Sequence, residues 1–353
     1  MVNQEMVASP IVLFLGAGAS SSFDKPLMGQ FISELKRDPG LASITEGFPY
    51  PVTGKVLLDN ITKEVGEDLE EVLDELEIIS RIKHLSSIKL TELRLPPAVG
   101  KTNTVSALQE SVIKVTKSLS DLIRKNIVER YSSIDSNKVA KLYSDVFGTL
   151  SFDGDRFITI FTTNYDPAIE VFCEQTEYEL VNGFKAKGRS QDYIWDRATY
   201  DEFSPDSNSK KVVLFKLHGS VNWYKKGQDI VHSAIPFYLF EQAKRNIIIW
   251  PTKTKVAIED PFFTSYDYLH HCLQHTKAVI FIGYSFRDFD TLTRIKSALI
   301  INPELRLTIV DPQANALYDR YFKPLKEKSE TAVVTGSFGY SDISTALKAA
   351  SSL

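Results

Sequence analysis

Apolar positions along the chain fall into two patterns. In the first, unbroken runs rich in β-branched and aromatic residues stop abruptly at small or polar ones: IVLFLG at 11–16, RFITIFTTN at 156–164, VVLFKLHGS at 212–220, KAVIFIGYS at 277–285 and LRLTIVDP at 305–312. A strand with one wet face alternates apolar and polar residues. Runs without alternation are apolar on both faces, as buried parallel strands are, so these predict a parallel α/β sheet. In the second pattern apolar residues recur three and four apart. Leu69, Val72, Leu73, Leu76 and Ile79 do so in DLEEVLDELEIISRI, opposite a wall of Asp and Glu, and the stretch from about 105 to 147 is similar. Both read as amphipathic helices. Roughly 140 residues separate the first two strands, too many for one crossover. A helical insertion is therefore expected over 41–149, within a discontinuous core of 1–40 and 150–353. A second insertion, 183–210, is polar, ends in SPDSNSKK and is expected to be a loop.

Composition narrows the classes of function. At 353 residues, 43% hydrophobic and 24% charged, the chain has the length and balance of an ordinary globular protein of about two domains, or of one with a large insertion. A formal charge of −4 gives no global field for nucleic acid, and acids or apolar residues interrupt the lysine-rich stretches KSLSDLIRK and KPLKEK. Direct nucleic-acid binding is not expected. There are only two cysteines, Cys173 and Cys272, no leader pattern, and no apolar stretch near the roughly 20 residues that span a bilayer. These features predict a reduced, cytoplasmic setting without a membrane anchor. The acidic helix at 64–77 is either a solvated face or a surface for self-assembly.

In parallel α/β sheets, ligands bind beyond the carboxyl ends of the strands, and these ends carry the unusual residues. Gly16-Ala17-Gly18-Ala19-Ser20 lacks the P-loop pattern and supplies only the opening of GxGxxG. Its amides and the Ser20 hydroxyl form either a phosphate cradle or a tight strand-to-helix turn. Asn164 and Asp166 close FTTNYD, either as a carboxamide and carboxylate facing a ligand or as caps of the helix beginning near Pro167. His218 precedes Gly219 in KLHGS, where the backbone is expected to turn close to a ligand; it is either a proton-exchanging group or a structural histidine. Gly283 and Ser285 leave a buried strand ahead of Asp288 and Asp290. Asp311 stands where an acid often meets ribose hydroxyls, or serves a turn before Pro312. HHCLQH at 270–275 lacks further metal ligands at familiar spacing and reads as a packed helix.

Taken in order, GAG-S, FTTNYD, KLHGSVNW, GYSFRDFD and the acid of IVDP resemble the sirtuin superfamily, and most closely the sirtuin-like (Sir2-type) domains of bacterial anti-phage defence proteins. The resemblance spans about residues 11–315. It implies a Rossmann-like, doubly wound NAD-binding core. Gly16, Ala17, Gly18 and Ser20 would hold the pyrophosphate, and Asn164 would contact the nicotinamide ribose or position water. Asp166 would bind the nicotinamide carboxamide and His218 would be the base. Gly283 and Ser285 would contact the adenosine side, with Asp311 near its ribose, and Thr163, Gly219 and Asp290 would also bind the cofactor.

The departures point away from protein deacylation. The four-cysteine zinc ribbon of the deacylases cannot be built from two distant cysteines, so no zinc is expected. Where they read GIPDFR the chain reads FDKPLM, matching only at Pro26, and Thr163 replaces the Gln before the Asn. The expected activity is hydrolysis of NAD to nicotinamide and ADP-ribose, as the effector of an abortive-infection system. A homo-oligomer is expected, and the resemblance implies a separate activator chain, such as a HerA-type ATPase or an Argonaute-type sensor. Alternatives are a zinc-free deacylase or ADP-ribosyl transferase, and a non-enzymatic sensor of NAD or ADP-ribose.

Overall fold

A computed structural model describes residues 9–25, 27–46, 52–81, 102–149, 157–186, 192–204, 209–233, 246–250, 259–325 and 331–351. Pro26 and parts of the 183–210 segment lie outside them. Strand β1 (Ile11–Leu15) runs into a one-turn helix, α1 (Ala17–Ser20). Helices α2 (Met28–Leu35) and α3 (Pro39–Ser43), short strands β2 (Thr45–Glu46) and β3 (Val52–Thr53), then α4 (Gly54–Val65), α5 (Leu69–Arg81), α6 (Thr102–Ser132) and α7 (Ser136–Thr149) lead to β4 (Phe157–Thr162). Next come α8 (Ala168–Glu174), β5 (Glu179–Val181), β6 (Phe184–Ala186), β7 (Asp192–Trp195), α9 (Ala198–Asp201), β8 (Lys211–Lys216), β9 (Gly219–Lys226), β10 (Asp229–Ser233) and β11 (Asn246–Ile248). The chain continues through α10 (Phe262–His275), β12 (Ala278–Ile282), α11 (Phe289–Ile301), β13 (Arg306–Val310), α12 (Ala314–Tyr321), β14 (Thr331–Val334) and α13 (Tyr340–Ser351).

The five apolar runs become β1, β4, β8, β12 and β13. With β14 and β5 they form a seven-stranded sheet in the order β14-β13-β12-β1-β4-β8-β5, every pairing parallel. Alternate residues of each strand serve opposite faces, and both faces are covered. Val12 and Phe14 join a cluster with α10, α11 and α12, whereas Leu13 and Leu15 join one with α7, α8 and α13. Cys272 lies in the first cluster and Cys173 in the second, both as buried free thiols. Burial pushes the Cys272 thiol up to about 12 and raises that of Cys173 as well. The chain is thus a doubly wound α/β protein.

A third apolar cluster is helical and sits beside the sheet. All five periodic positions of α5 are buried in it, together with residues of α2, α3, α4 and α6, and it meets the sheet region through Tyr165, Val221 and Ile248. Packing cuts across the sequence boundaries drawn above. Helix α2, from the first 40 residues, belongs to the helical cluster, while α7 turns Val139, Tyr143, Val146 and Phe147 onto the sheet. Among the described residues no helix is long and apolar enough to cross a membrane.

The 183–210 segment is not simply a loop. Its β6 and β7, of three and four residues and too short to stand out in the sequence, extend an antiparallel five-stranded sheet in the order β11-β9-β10-β7-β6. Trp223 and His232 are buried in this sheet, and the Asn222 carboxamide N–H reaches His232 Nε2 at 2.9 Å. Burial, aided by the Lys216 charge, pulls the His232 pKa from its ordinary 6.5 down to about 4. An unfolded chain therefore takes up a proton near pH 6.5 that the folded chain refuses until about 4, so stability falls across that window as the medium is acidified. The full loss is about 3 kcal/mol. In urea unfolding at pH 7.5 and pH 5, His232→Gln should show a distinctly smaller acid-induced loss than the unsubstituted protein; equal losses would contradict the assignment.

Candidate active site

Strand β1 is central, with β12 on one side and β4 on the other, so the loops leaving their carboxyl ends diverge at a topological switch point. Backbone bonds extend the ladder beyond the strands and lock these loops together. Gly16 N–H donates to Ile282 O and Gly18 N–H to Gly283 O, both at 2.9 Å, and Gly283 N–H donates to Val310 O at 2.9 Å. On the other side Thr163 N–H donates to Leu15 O at 3.2 Å, and Leu217 N–H to Thr162 O at 2.8 Å.

The glycines permit this contact. A Cβ on Gly16 would stand 2.5 Å from Gly283 O, one on Gly18 2.7 Å from Gly283 Cα, and one on Gly283 2.5 Å from Gly18 Cα. Gly283 also has φ +59, in the left-handed region. The small residues of the two loops first make room for each other. Gly283→Ala is expected to cost roughly 2–4 kcal/mol from backbone strain and overpacking. Gly29→Ala, with nothing within 4 Å of the added methyl, is the control; equal melting temperatures for the two variants would contradict this reading.

Beneath these loops opens a cleft of about 530 Å³, within the range of small-molecule sites. Of the residues singled out in the sequence, it is lined by Ala17, Gly18, Thr163, Asn164, His218, Gly283, Ser285 and Asp311. Gly16, Ser20 and Asp166 stand behind the wall. Gly219 and Asp290 do not line the cleft. Gly219 has φ +78, and a Cβ there would lie 2.0 Å from Ile247 O, so the close approach it allows is to the chain's own backbone. Asp290 sits exposed in the first turn of α11, while Asp288, two residues earlier, reaches inward.

The polar groups of the cleft are held in a defined order. Asn164 Nδ2 donates to Gly16 O and to Ser20 Oγ, both at 2.8 Å, and Ser20 Oγ donates to Asp166 Oδ2 at 2.6 Å. With both amide hydrogens engaged, the capacity left to the Asn164 carboxamide is that of its acceptor, Oδ1. Asp166 is buried and also accepts from Ala168 N–H at 3.2 Å. Burial raises its pKa, opposed by the Lys216 charge and the Ser20 hydrogen bond. Its carboxylate fixes Asn164 through Ser20. Lys216 Nζ in turn donates to Asp166 O at 2.6 Å and to Glu170 Oε1 at 3.0 Å, in a pair whose side chains are 1% and 3% exposed.

His218 also lines the cleft, with Nε2 2.8 Å from Asp288 Oδ2. Asp311 is half-buried at the end of β13, where burial raises its pKa. Three further contributors carry no sequence signal linking them to a site. Asp68 and Glu70, at the start of α5, and Tyr131 of α6 bring the helical cluster to the cleft, and Arg287 Nη1 donates across its mouth to Asp68 Oδ2 at 2.6 Å. Asp288 had a signal, an acid immediately before an apolar-periodic helix.

Among the described residues there is no group of three or more His, Cys, Asp or Glu able to hold a metal. No curated protein matches the chain. Solved structures similar to it include a SIR2 homologue in complex with NAD, 11% identical, covering 98% of this chain and 91% of that one with a TM-score of 0.43. Another is a mutant Sir2 homologue in complex with ADP-ribose, 12% identical, covering 99% and 96% with a TM-score of 0.42. Residues 158–330, which contain Asn164, His218, Asp288 and Asp311, match the family model described as SIR2-like domain, and the chain accordingly carries a SIR2-like domain.

Proposed function

We propose that this cleft binds NAD and cleaves its nicotinamide–ribose bond with water, giving nicotinamide and ADP-ribose. The observation that carries the reading is the convergence of Asn164, its carboxamide fixed by Gly16 O and Ser20 Oγ, and His218 on one cleft beside the paired glycine loops. The SIR2-like domain and the order of motifs at the strand ends support NAD as the substrate. The bond breaks through an oxocarbenium-like state. Its electron pair leaves on the nicotinamide nitrogen, water oxygen bonds to the anomeric carbon, and the water proton passes to His218.

Asn164 Oδ1 orients the water or a ribose hydroxyl. Asp166 acts through Ser20 to keep that carboxamide in place, rather than by touching nicotinamide. Asp68, Glu70 and Asp288 place negative charge where the ribose becomes cationic. Ala17 and Gly18 take the pyrophosphate side, with Ser285 and Asp311 toward the adenosine.

In the cell this activity would serve as the toxic effector of an anti-phage system in the bacterial cytoplasm, working as a homo-oligomer and released by a separate activator chain. The purified protein, incubated with NAD alone and with lysate from phage-infected cells, should release nicotinamide in at least one condition. ADP-ribose or an acyl group transferred to protein would replace this reading with a transferase or deacylase. NAD-induced thermal stabilisation with no turnover in either condition would replace it with a sensor.

A further inference from the structure

We propose that Asp288 is the positioning residue of His218: it fixes the imidazole tautomer and stabilises the imidazolium that forms when the ring takes the water proton. The inference rests on the reading of His218 as base. Asp288 Oδ2 lies 2.8 Å from His218 Nε2, and the two side chains are 6% and 7% exposed. The carboxylate is anchored from behind. Oδ1 accepts from Asp290 N–H at 3.2 Å and Thr291 N–H at 3.4 Å, capping α11, while Oδ2 also accepts from Thr291 Oγ1 at 3.1 Å. Tyr266 adds a longer contact at 3.4 Å.

The loop that delivers Asp288 is pinned. Phe286 holds a left-handed φ of 56 yet is fully buried, packed against Phe281, Tyr284, Tyr321 and Phe322. A bulky residue in that conformation persists only where its surroundings over-determine it.

An ionised carboxylate only accepts, so Nε2 carries the proton and Nδ1 the lone pair that receives one. Proton transfer then creates a cation beside a fixed anion. The other titratable or charged residues lining the cleft with His218 and Asp288 are Asp68, Glu70, Tyr131, Tyr284, Asp311, Arg287 paired with Asp68, and Tyr165, whose ring centroid is 6.5 Å from the imidazole.

Asp288→Asn separates the two jobs of the residue, because Asn caps helices as well as Asp does. The expected result is a fall in kcat for NAD of about 10²-fold or more with KM changed less than about threefold. The acid limb of the pH–rate profile should move to lower pH, since loss of the neighbouring negative charge makes the imidazolium more acidic. A kcat within about threefold of the unsubstituted enzyme, with an unmoved limb, would reduce Asp288 to a helix cap and overturn the proposal. Nitrogen NMR of the unsubstituted protein, labelled at histidine, provides a readout that needs neither folding of the variant nor turnover. A proton on His218 Nε2 supports the proposal, and one on Nδ1 overturns it. If NAD is not hydrolysed at all, the reading of function fails while the NMR result still decides the pair.

Discussion

His218→Ala and Asn164→Ala are each expected to lower NAD turnover by roughly 10²–10⁴-fold, the range for a positioned acid–base or orienting group. The two losses should differ in kind. His218→Ala removes the proton acceptor and leaves the backbone bonds of the cleft untouched, so KM for NAD should change little and the pH dependence of the residual rate should flatten. Asn164→Ala removes the bonds to Gly16 O and Ser20 Oγ as well as the acceptor that orients water, so Ser20 Oγ loses the donor it accepts from while it still donates to Asp166. Circular dichroism and melting curves establish that each variant is folded before nicotinamide release is compared. Near wild-type turnover in either folded variant would remove that residue from the mechanism.

The largest effect on stability should come from Lys216→Met. Lys216 and Glu170 are both almost fully buried, and among the described residues Glu170 Oε2 has no hydrogen-bond partner of its own. Removing the ammonium strands a carboxylate in the interior and takes the Nζ–H donor from Asp166 O. Breaking a buried pair in this way costs about 3–5 kcal/mol, whereas replacing both partners by apolar residues of similar volume is often neutral. The double variant Lys216→Met, Glu170→Leu should therefore recover most of the melting temperature lost in the single one. A single variant within about 1 kcal/mol of the parent would show that the pair is unimportant. Because the ammonium also grips the loop carrying Asn164 and Asp166, NAD turnover should fall in the double variant even where stability returns.

The parallel sheet was legible because its strands are unbroken apolar runs, and α5 because five apolar residues repeat at helical spacing. The strand ends also pointed to the cleft, since eight of the residues chosen there line it. What the sequence hid depends on distant pairing. VVLFKLHGS reads as a strand that turns at Gly219 toward a ligand, yet Gly219, with φ +78, leads the chain into a different sheet, against Ile247. The GAGAS loop gives no sign that its glycines are matched to Gly283, more than 260 positions away. Of the two acids in FRDFD, Asp290 was preferred for ligand contact, but the geometry at the start of α11 turns Asp288 inward to His218. Asp68, Glu70 and Tyr131 reach the cleft only because the helical cluster leans on Tyr165, Val221 and Ile248.

The central claim is that this cleft hydrolyses the nicotinamide–ribose bond, and a proton-NMR time course of NAD with the purified protein tests it most directly. Nicotinamide and ADP-ribose appearing in equal amounts, and abolished by Asn164→Ala under the same activating conditions, is the predicted result. NAD that stays intact while still raising the melting temperature, with and without lysate from infected cells, would contradict it.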